Sequence, residues 1–238
     1  MKLRLLSLLL CAVFLIPLAS CAAERHDLLY ETTVGGYTYC VRGTDFRAKQ
    51  LVVKQGDEIV WSQKVKVDAT VGSLGGNYGL EVLDLNFDGN LDLMIADGKA
   101  GDEVSYLCWL WDAEKETFTK SEELSGLCNV AVDAELKAIF AFSHSYEYEP
   151  AYDDAPSNEK TVDSTTKYVW KDGVLTPAIR VSITHDSATD LYCYSVAYYN
   201  EKTQAFDDSD DNWLTPAEYE KADLSFLYYF KGSVTPNG

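Results

Sequence analysis

Oxygen-bearing side chains alternate along one short segment, Asp84-Leu85-Asn86-Phe87-Asp88-Gly89-Asn90-Leu91-Asp92. Counted from Asp84, positions 1, 3, 5, 7 and 9 are Asp84, Asn86, Asp88, Asn90 and Asp92. Gly89, at position 6, permits the sharp turn that wraps a chain around an ion, and position 7 can offer its backbone carbonyl. Because all the donors are hard oxygens, the segment predicts a site for Ca²⁺ or Mg²⁺ rather than for zinc or copper.

The loop departs from an EF-hand in two respects. Position 12 is Ile95, where an EF-hand needs a bidentate glutamate, and the flanking segments look like strands rather than helices. The alternative interpretation is a hairpin turn at Asp88-Gly89 whose acidic side chains are simply solvated.

The chain carries no familiar catalytic motif. It has no Gly-x-Ser-x-Gly, no His-Glu-x-x-His and no phosphate-binding glycine loop, and His26, His144 and His185 are scattered. We therefore expect no enzyme. Because carboxylates are abundant, the alternative interpretation is an enzyme that cleaves glycans with a pair of carboxylates.

The segments that must position the loop are short and rich in strand-forming residues. A hairpin is predicted where 51–54 and 59–67 flank Gly56-Asp57, and another break falls at Lys171-Asp172-Gly173. Further strands are predicted at 37–42, 80–84, 91–96, 104–111, 117–120, 129–133, 138–143, 167–170, 174–184 and 191–199. This pattern predicts an all-β fold, a sandwich, barrel or propeller.

Two segments are predicted to be something other than strands. The acidic, proline-containing stretch 145–163 is predicted to be a long surface loop. Thr215-Pro216-Ala217-Glu218 has the pattern of a helix start, which predicts one short helix over 216–222.

The N-terminus has the pattern of an export leader. Lys2 and Arg4 precede an apolar run, Leu5–Ile16, and Leu18-Ala19-Ser20-Cys21 resembles a bacterial lipobox. That resemblance implies a signal peptide over 1–20, lipidation of Cys21, a tether over 21–36 and a domain over 37–238, held on the outer side of a membrane. The alternative is an ordinary leader cut after Ala23.

Four cysteines remain beyond the leader and the lipidated residue. We favour disulfides between Cys108 and Cys128 and between Cys40 and Cys193, although four cysteines allow three pairings and four free thiols are the alternative.

The charge of the chain limits its partners. The formal net charge is −18, and because the leader has two basic residues and no acid, the rest of the chain carries −20. Such a surface repels phosphate backbones, which argues against nucleic acid, and favours a basic protein partner. The candidate contact surfaces are the acidic segments Tyr146–Asp154 and Asp207–Asp211, with Tyr146, Tyr148 and Tyr152 as aromatic anchors; the alternative is that both are merely solvated.

The loop and the strands after it resemble a known family. The loop resembles the calcium loops of integrin-like (FG-GAP/VCBS-type) β-propeller repeats. With the aromatic strand Tyr106–Trp111 and Glu116-Thr117-Phe118, it is similar to a family of bacterial envelope lipoproteins. The resemblance covers residues 80–143 best and implies an incomplete β-propeller with one calcium loop. Some members of that family inhibit peptidoglycan hydrolases, which implies a lytic enzyme as partner; a structural or adhesive surface protein is a further alternative.

Overall fold

The computed structural model describes residues 26–44, 47–67, 76–101, 103–149, 158–207 and 212–222. Within these ranges the chain forms strands and two short helices. The strands are β1 (Asp27–Val34), β2 (Tyr37–Thr44), β3 (Arg47–Gln55), β4 (Glu58–Lys64), β5 (Leu80–Leu83), β6 (Asp92–Ala100), β7 (Glu103–Asp112), β8 (Thr117–Lys120), β9 (Ala131–Asp133), β10 (Ala138–Glu149), β11 (Asn158–Lys171), β12 (Val174–Asp186), β13 (Leu191–Asn200), β14 (Ala205–Phe206) and β15 (Asn212–Leu214). The helices are α1 (Glu122–Ser125) and α2 (Pro216–Tyr219).

The strands make three antiparallel sheets. The first sheet has the order β1-β2-β3-β4 and the central sheet the order β5-β6-β7-β8. The large sheet runs β14-β13-β12-β11-β10-β9, with β15 beside β13. The first and central sheets are up-and-down meanders of four strands, the form that a propeller blade takes. The all-β prediction is confirmed.

The central sheet is buried on both of its faces. Leu93, Ile95 and Trp109 pack with the first sheet in one core. Met94 and Cys108 pack with residues of the large sheet in a second core. Successive side chains of a strand point to opposite faces, so the continuous apolar run of β6 follows from having a core on each side.

Short turns set the register of the hairpins. Asp172 and Gly173, between β11 and β12, have φ values of 50° and 79°, and Gly35 and Gly36, between β1 and β2, have 60° and 84°. Positive φ at both central residues is the requirement of the type I′ turn, which matches the twist of the flanking strands. The break predicted at Lys171-Asp172-Gly173 is therefore confirmed.

The C-terminal helix α2 is confirmed, and its start is as predicted. The hydroxyl of Thr215 accepts a hydrogen bond from the Glu218 amide, and the Glu218 carboxylate accepts one from the Thr215 amide. The helix is shorter than predicted, because it ends at Tyr219. The sequence analysis did not predict α1, a single turn capped by Ser121 that buries Leu124.

Two segments differ from the prediction. Residues 27–34, assigned to the tether, instead form β1, paired with β2. The surface loop predicted over 145–163 is largely strand: β10 and β11 pair from Ile139↔Tyr168 to Glu149↔Asn158. The acidic composition misled the prediction because strands exposed on both faces need no apolar alternation.

The cysteines also differ from the prediction. None of Cys40, Cys108, Cys128 and Cys193 forms a disulfide, so neither favoured pairing is present. Cys128 lies opposite Ser105, three residues from Cys108 on the same strand. Since side chains alternate between the faces of a strand, Ser105 and Cys108 point to opposite faces, and the two sulfurs are not directed at each other.

In the folded protein, we expect iodoacetamide to alkylate Cys128 much faster than Cys108. Burial raises the pKa of the Cys108 thiol to about 12, and its residue has no exposed surface, whereas Cys128 is half-buried. Only about 10⁻⁴ of Cys108 would be thiolate at pH 8, and the thiolate is the reactive form. Peptide-resolved mass spectrometry after iodoacetamide treatment measures both rates. Failure of both peptides to label in denaturant without reductant would instead reveal a disulfide.

Candidate cation-binding loop

The loop connects β5 to β6 at one end of the central sheet. Leu83 pairs with Asp92 where the two strands meet, and residues 84–91 form the connection. Phe87 and Gly89 adopt positive φ values of 61° and 92°. Gly89 has no side chain to oppose this conformation, so the chain turns sharply at the position that the sequence predicts.

Three of the predicted ligands share the turn. Both carboxylate oxygens of Asp84 accept backbone hydrogen bonds, Oδ1 from the Asp88 amide at 3.1 Å and Oδ2 from the Gly89 amide at 2.8 Å. The side-chain amide of Asn86 donates to Asp88 Oδ2 at 2.9 Å, and Asp88 Oδ1 accepts from the Asn90 amide at 2.7 Å. These bonds hold the side chains of Asp84, Asn86 and Asp88 around one turn.

Asp92 is the buried member of the predicted ligand set. It is fully buried, and its Oδ2 accepts the Leu85 amide at 2.7 Å while its Oδ1 accepts the Trp111 amide at 2.8 Å. Burial raises the pKa of Asp92 to about 7, the two backbone hydrogen bonds lower it, and the nearby Asp88 and Asp84 raise it further. The carboxylate thus joins the start of the loop to β7 inside the protein.

A second contact fixes the loop to the large sheet. The indole Nε1 of Trp170, in β11, donates to the Leu85 carbonyl at 2.8 Å. Leu85 is fully buried in the second core, and Phe87 packs against that core. The loop is therefore held by both neighbouring strands of its own sheet and by the next sheet. The sequence offers no signal for the Trp170 contact, because 85 residues separate the partners.

The residues present fit a hard cation. Asp84 and Asp88 have no Lys or Arg partner among the described residues, so no basic side chain balances their charge. Each oxygen that accepts one backbone hydrogen bond keeps a second lone pair for a metal. Three or more His, Cys, Asp or Glu side chains do not converge as a metal centre anywhere in the described ranges. A cation here would therefore depend on Asn86 and backbone carbonyls, including that of Asn90, besides the carboxylates.

The other residues singled out by the sequence lie elsewhere. His144 pairs with Asp163 (Nδ1 to Oδ1, 2.7 Å) and His185 pairs with Asp190 (Nε2 to Oδ1, 3.1 Å), both on the large sheet. Cys21, the leader, Tyr152, Asp154 and 208–211 lie outside the described residues. Of the two acidic segments, the structure describes 146–149, at the end of β10, and Asp207.

Comparisons with known proteins show a likeness in fold and give no information on function. No family model and no curated protein matched the sequence. Among solved structures, the chain is similar to one described as "Structure of a Xanthomonas Type IV Secretion System related protein", with a TM-score of 0.52 and 14% identity. The match covers 79% of this chain and 98% of the other. Neither helix in the described part of the chain has the length and apolarity needed to cross a membrane.

Proposed function

We propose that the protein is a lipid-anchored binding module of the cell envelope, stabilised by Ca²⁺ at the loop 84–92, that binds and inhibits a basic peptidoglycan hydrolase. The observation that carries the proposal is the loop itself. Asp84, Asn86 and Asp88 are gathered around one sharp turn, next to a buried carboxylate, with no basic residue to neutralise them. We further propose that the first and central sheets are blades of an incomplete propeller.

A bound Ca²⁺ would supply charge neutralisation and fix the turn. Asp92 and Trp170 anchor the loop from inside, which reduces the ordering that a cation would have to impose on the outer oxygens. Calcium suits this donor set because it accepts carboxylates, amide oxygens and carbonyls in flexible geometry, whereas Mg²⁺ demands a near-ideal octahedron.

Binding fits the electrostatics better than catalysis does. A carboxylate enzyme needs an accessible acid with a raised pKa. Burial raises the pKa of two carboxyl groups, Asp92 and Glu81. Asp92 is 0% exposed with both oxygens engaged with backbone amides, and no neighbouring carboxylate contributes to the raised pKa of Glu81, so the two do not act as a coupled acid pair. The net charge of −18 would steer a basic partner toward the protein, at rates that fall as salt rises.

The end of β10 is the contact surface that we propose for the partner. Tyr146 and Tyr148 are 65% and 66% exposed, and Glu147 lies between them. Exposed aromatic side chains among charges are typical of the residues that dominate binding energy. The secretion-system description of the structural neighbour supports the envelope location proposed here.

The proposal predicts inhibition without catalysis. The protein should slow peptidoglycan cleavage by at least one member of a panel of lysozyme-like hydrolases, more strongly at low salt, and should cleave no glycan itself. The double variant Tyr146→Ala/Tyr148→Ala should weaken inhibition at least tenfold, since aromatic anchors cost about 2 kcal/mol or more when truncated. The matched control is Tyr198→Ala, a tyrosine 62% exposed on β13. Glycan cleavage by the protein alone would refute the proposal.

The anchor is tested separately. Wild-type protein expressed in a bacterial host should fractionate with membranes and incorporate labelled fatty acid, because Cys21 follows Leu18-Ala19-Ser20. Cys21→Ser should do neither. A wild-type protein that stays in the soluble fraction without label would contradict lipidation and leave the ordinary leader.

A further inference from the structure

An aromatic cleft lies between the first and central sheets, beside the loop. Its volume is about 300 Å³. Tyr37 and Tyr39, two residues apart on β2, form one wall, and the cross-strand pair Trp111 and Phe118 forms the other. Gly89 and Asn90 of the loop lie at its edge, so the cleft and the loop share a boundary.

The hydroxyl of Tyr39, a residue that lines this cleft, is the observation that points to a ligand. Tyr39 is only 3% exposed, but its hydroxyl oxygen retains accessible surface and has no hydrogen-bond partner among the described residues. Burial raises the pKa of Tyr39, with the neighbouring Tyr37 and Asp92 contributing, so the hydroxyl stays neutral. A tyrosine hydroxyl at an aromatic cleft can exchange a hydrogen bond with water for one with a ligand, as donor or as acceptor.

Three half-buried residues around the cleft offer further polar groups. Neither the Tyr37 hydroxyl, the Trp111 indole N–H nor the Asn90 side-chain amide has a hydrogen-bond partner in the part of the chain that the structure describes. Together with Tyr39 they offer both donors and acceptors around aromatic walls. The Trp111 backbone is itself held by Asp92, which fixes this wall in place.

We propose that this cleft binds one ring of a neutral pyranose sugar. Aromatic faces pack against the apolar face of a sugar ring, while the unpartnered groups match its hydroxyls, which both donate and accept. The carboxylates of the adjoining loop disfavour an anionic ligand. An organic cation would use the aromatic rings but would leave the N–H and hydroxyl donors unused. The volume is at the lower end of small-molecule pockets, about 300 to 1,000 Å³, which suits a single ring.

The test measures sugar binding directly, with calcium present throughout. Saturation-transfer NMR is recorded with glucose, galactose, mannose, N-acetylglucosamine and choline, each at millimolar concentration, and the affinity for the best sugar is measured by titration. Tyr39→Phe and Tyr37→Phe keep the rings and remove one hydroxyl each, and thermal melting checks that they fold. Tyr148→Phe, on exposed β10, is the matched control.

We expect at least one neutral sugar to bind and choline not to. Tyr39→Phe should weaken that binding roughly three- to tenfold, the effect of losing one neutral hydrogen bond, and Tyr148→Phe should leave it unchanged. Absence of binding by every sugar, binding of choline alone, or sugar affinity unaltered in both Tyr39→Phe and Tyr37→Phe would overturn the assignment.

Discussion

Asp92→Ala should lower the free energy of unfolding more than any other substitution in the loop, by about 3–5 kcal/mol. The reason is that the substitution leaves two buried amides, those of Leu85 and Trp111, without an acceptor. Each such group costs about 1–3 kcal/mol. For a domain of this size the melting temperature should fall by roughly 6–20 °C, which a thermal melt in chelator measures.

Two further variants serve as controls for the stability loss predicted for Asp92→Ala. Asp92→Asn retains one acceptor oxygen and should fall between wild type and Asp92→Ala. Asp88→Ala removes an exposed carboxylate of the same loop and, in chelator, should change stability far less, because its bonds to Asn86 and Asn90 are open to water. If Asp92→Ala melts within about 2 °C of wild type, the internal role of Asp92 is wrong.

Calcium should raise the stability of the wild-type protein by an amount that depends on its concentration. A ligand that binds only the folded state adds about 2.7 kcal/mol at a hundredfold excess over Kd, which corresponds to roughly 5–11 °C in melting temperature. Magnesium at the same concentration should give a smaller shift, because it dehydrates reluctantly and tolerates little distortion. Thermal melts with calcium, with magnesium and with chelator measure the three states.

The stabilisation by calcium should be separable, by substitution, from the stabilisation that Asp92 provides in chelator. Asp88→Ala should lose most of the calcium gain while keeping its stability in chelator, since Asp88 is exposed on the outer side of the turn. Asp133→Ala, another aspartate beside a turn between neighbouring strands, is the control that should keep the full gain. Equal melting curves for wild type with and without calcium would contradict the proposed site.

Local sequence signals predicted those elements whose causes are local. The β8 strand was predicted over 117–120, as observed, and α2 begins at the predicted cap, because strand composition, turn residues and capping boxes act over a few positions. The sharp turn at Gly89 follows in the same way from one residue's conformational freedom.

Features that depend on distant partners could not be predicted. The internal role of Asp92 rests on an amide 19 residues away, and the Leu85 contact rests on Trp170, so the alternation of oxygens could not indicate either hydrogen bond. The cleft is formed when Tyr39 of β2 faces Trp111 of β7, which requires the two sheets to be stacked. The strand character of 145–148 was hidden because these four residues are exposed on an outer part of the sheet, so no apolar alternation marks the strand.

Calorimetric titration of calcium into the chelator-treated protein tests the central claim most directly. We predict one saturable site for the wild type, and loss of that site in the double variant Asp84→Asn/Asp88→Asn, which keeps the shape of both side chains and removes two of the loop's charges. Asp133→Asn should titrate like the wild type. No heat of binding in the wild type, or an unaltered site in the double variant, would contradict the assignment of the loop 84–92 as a calcium site.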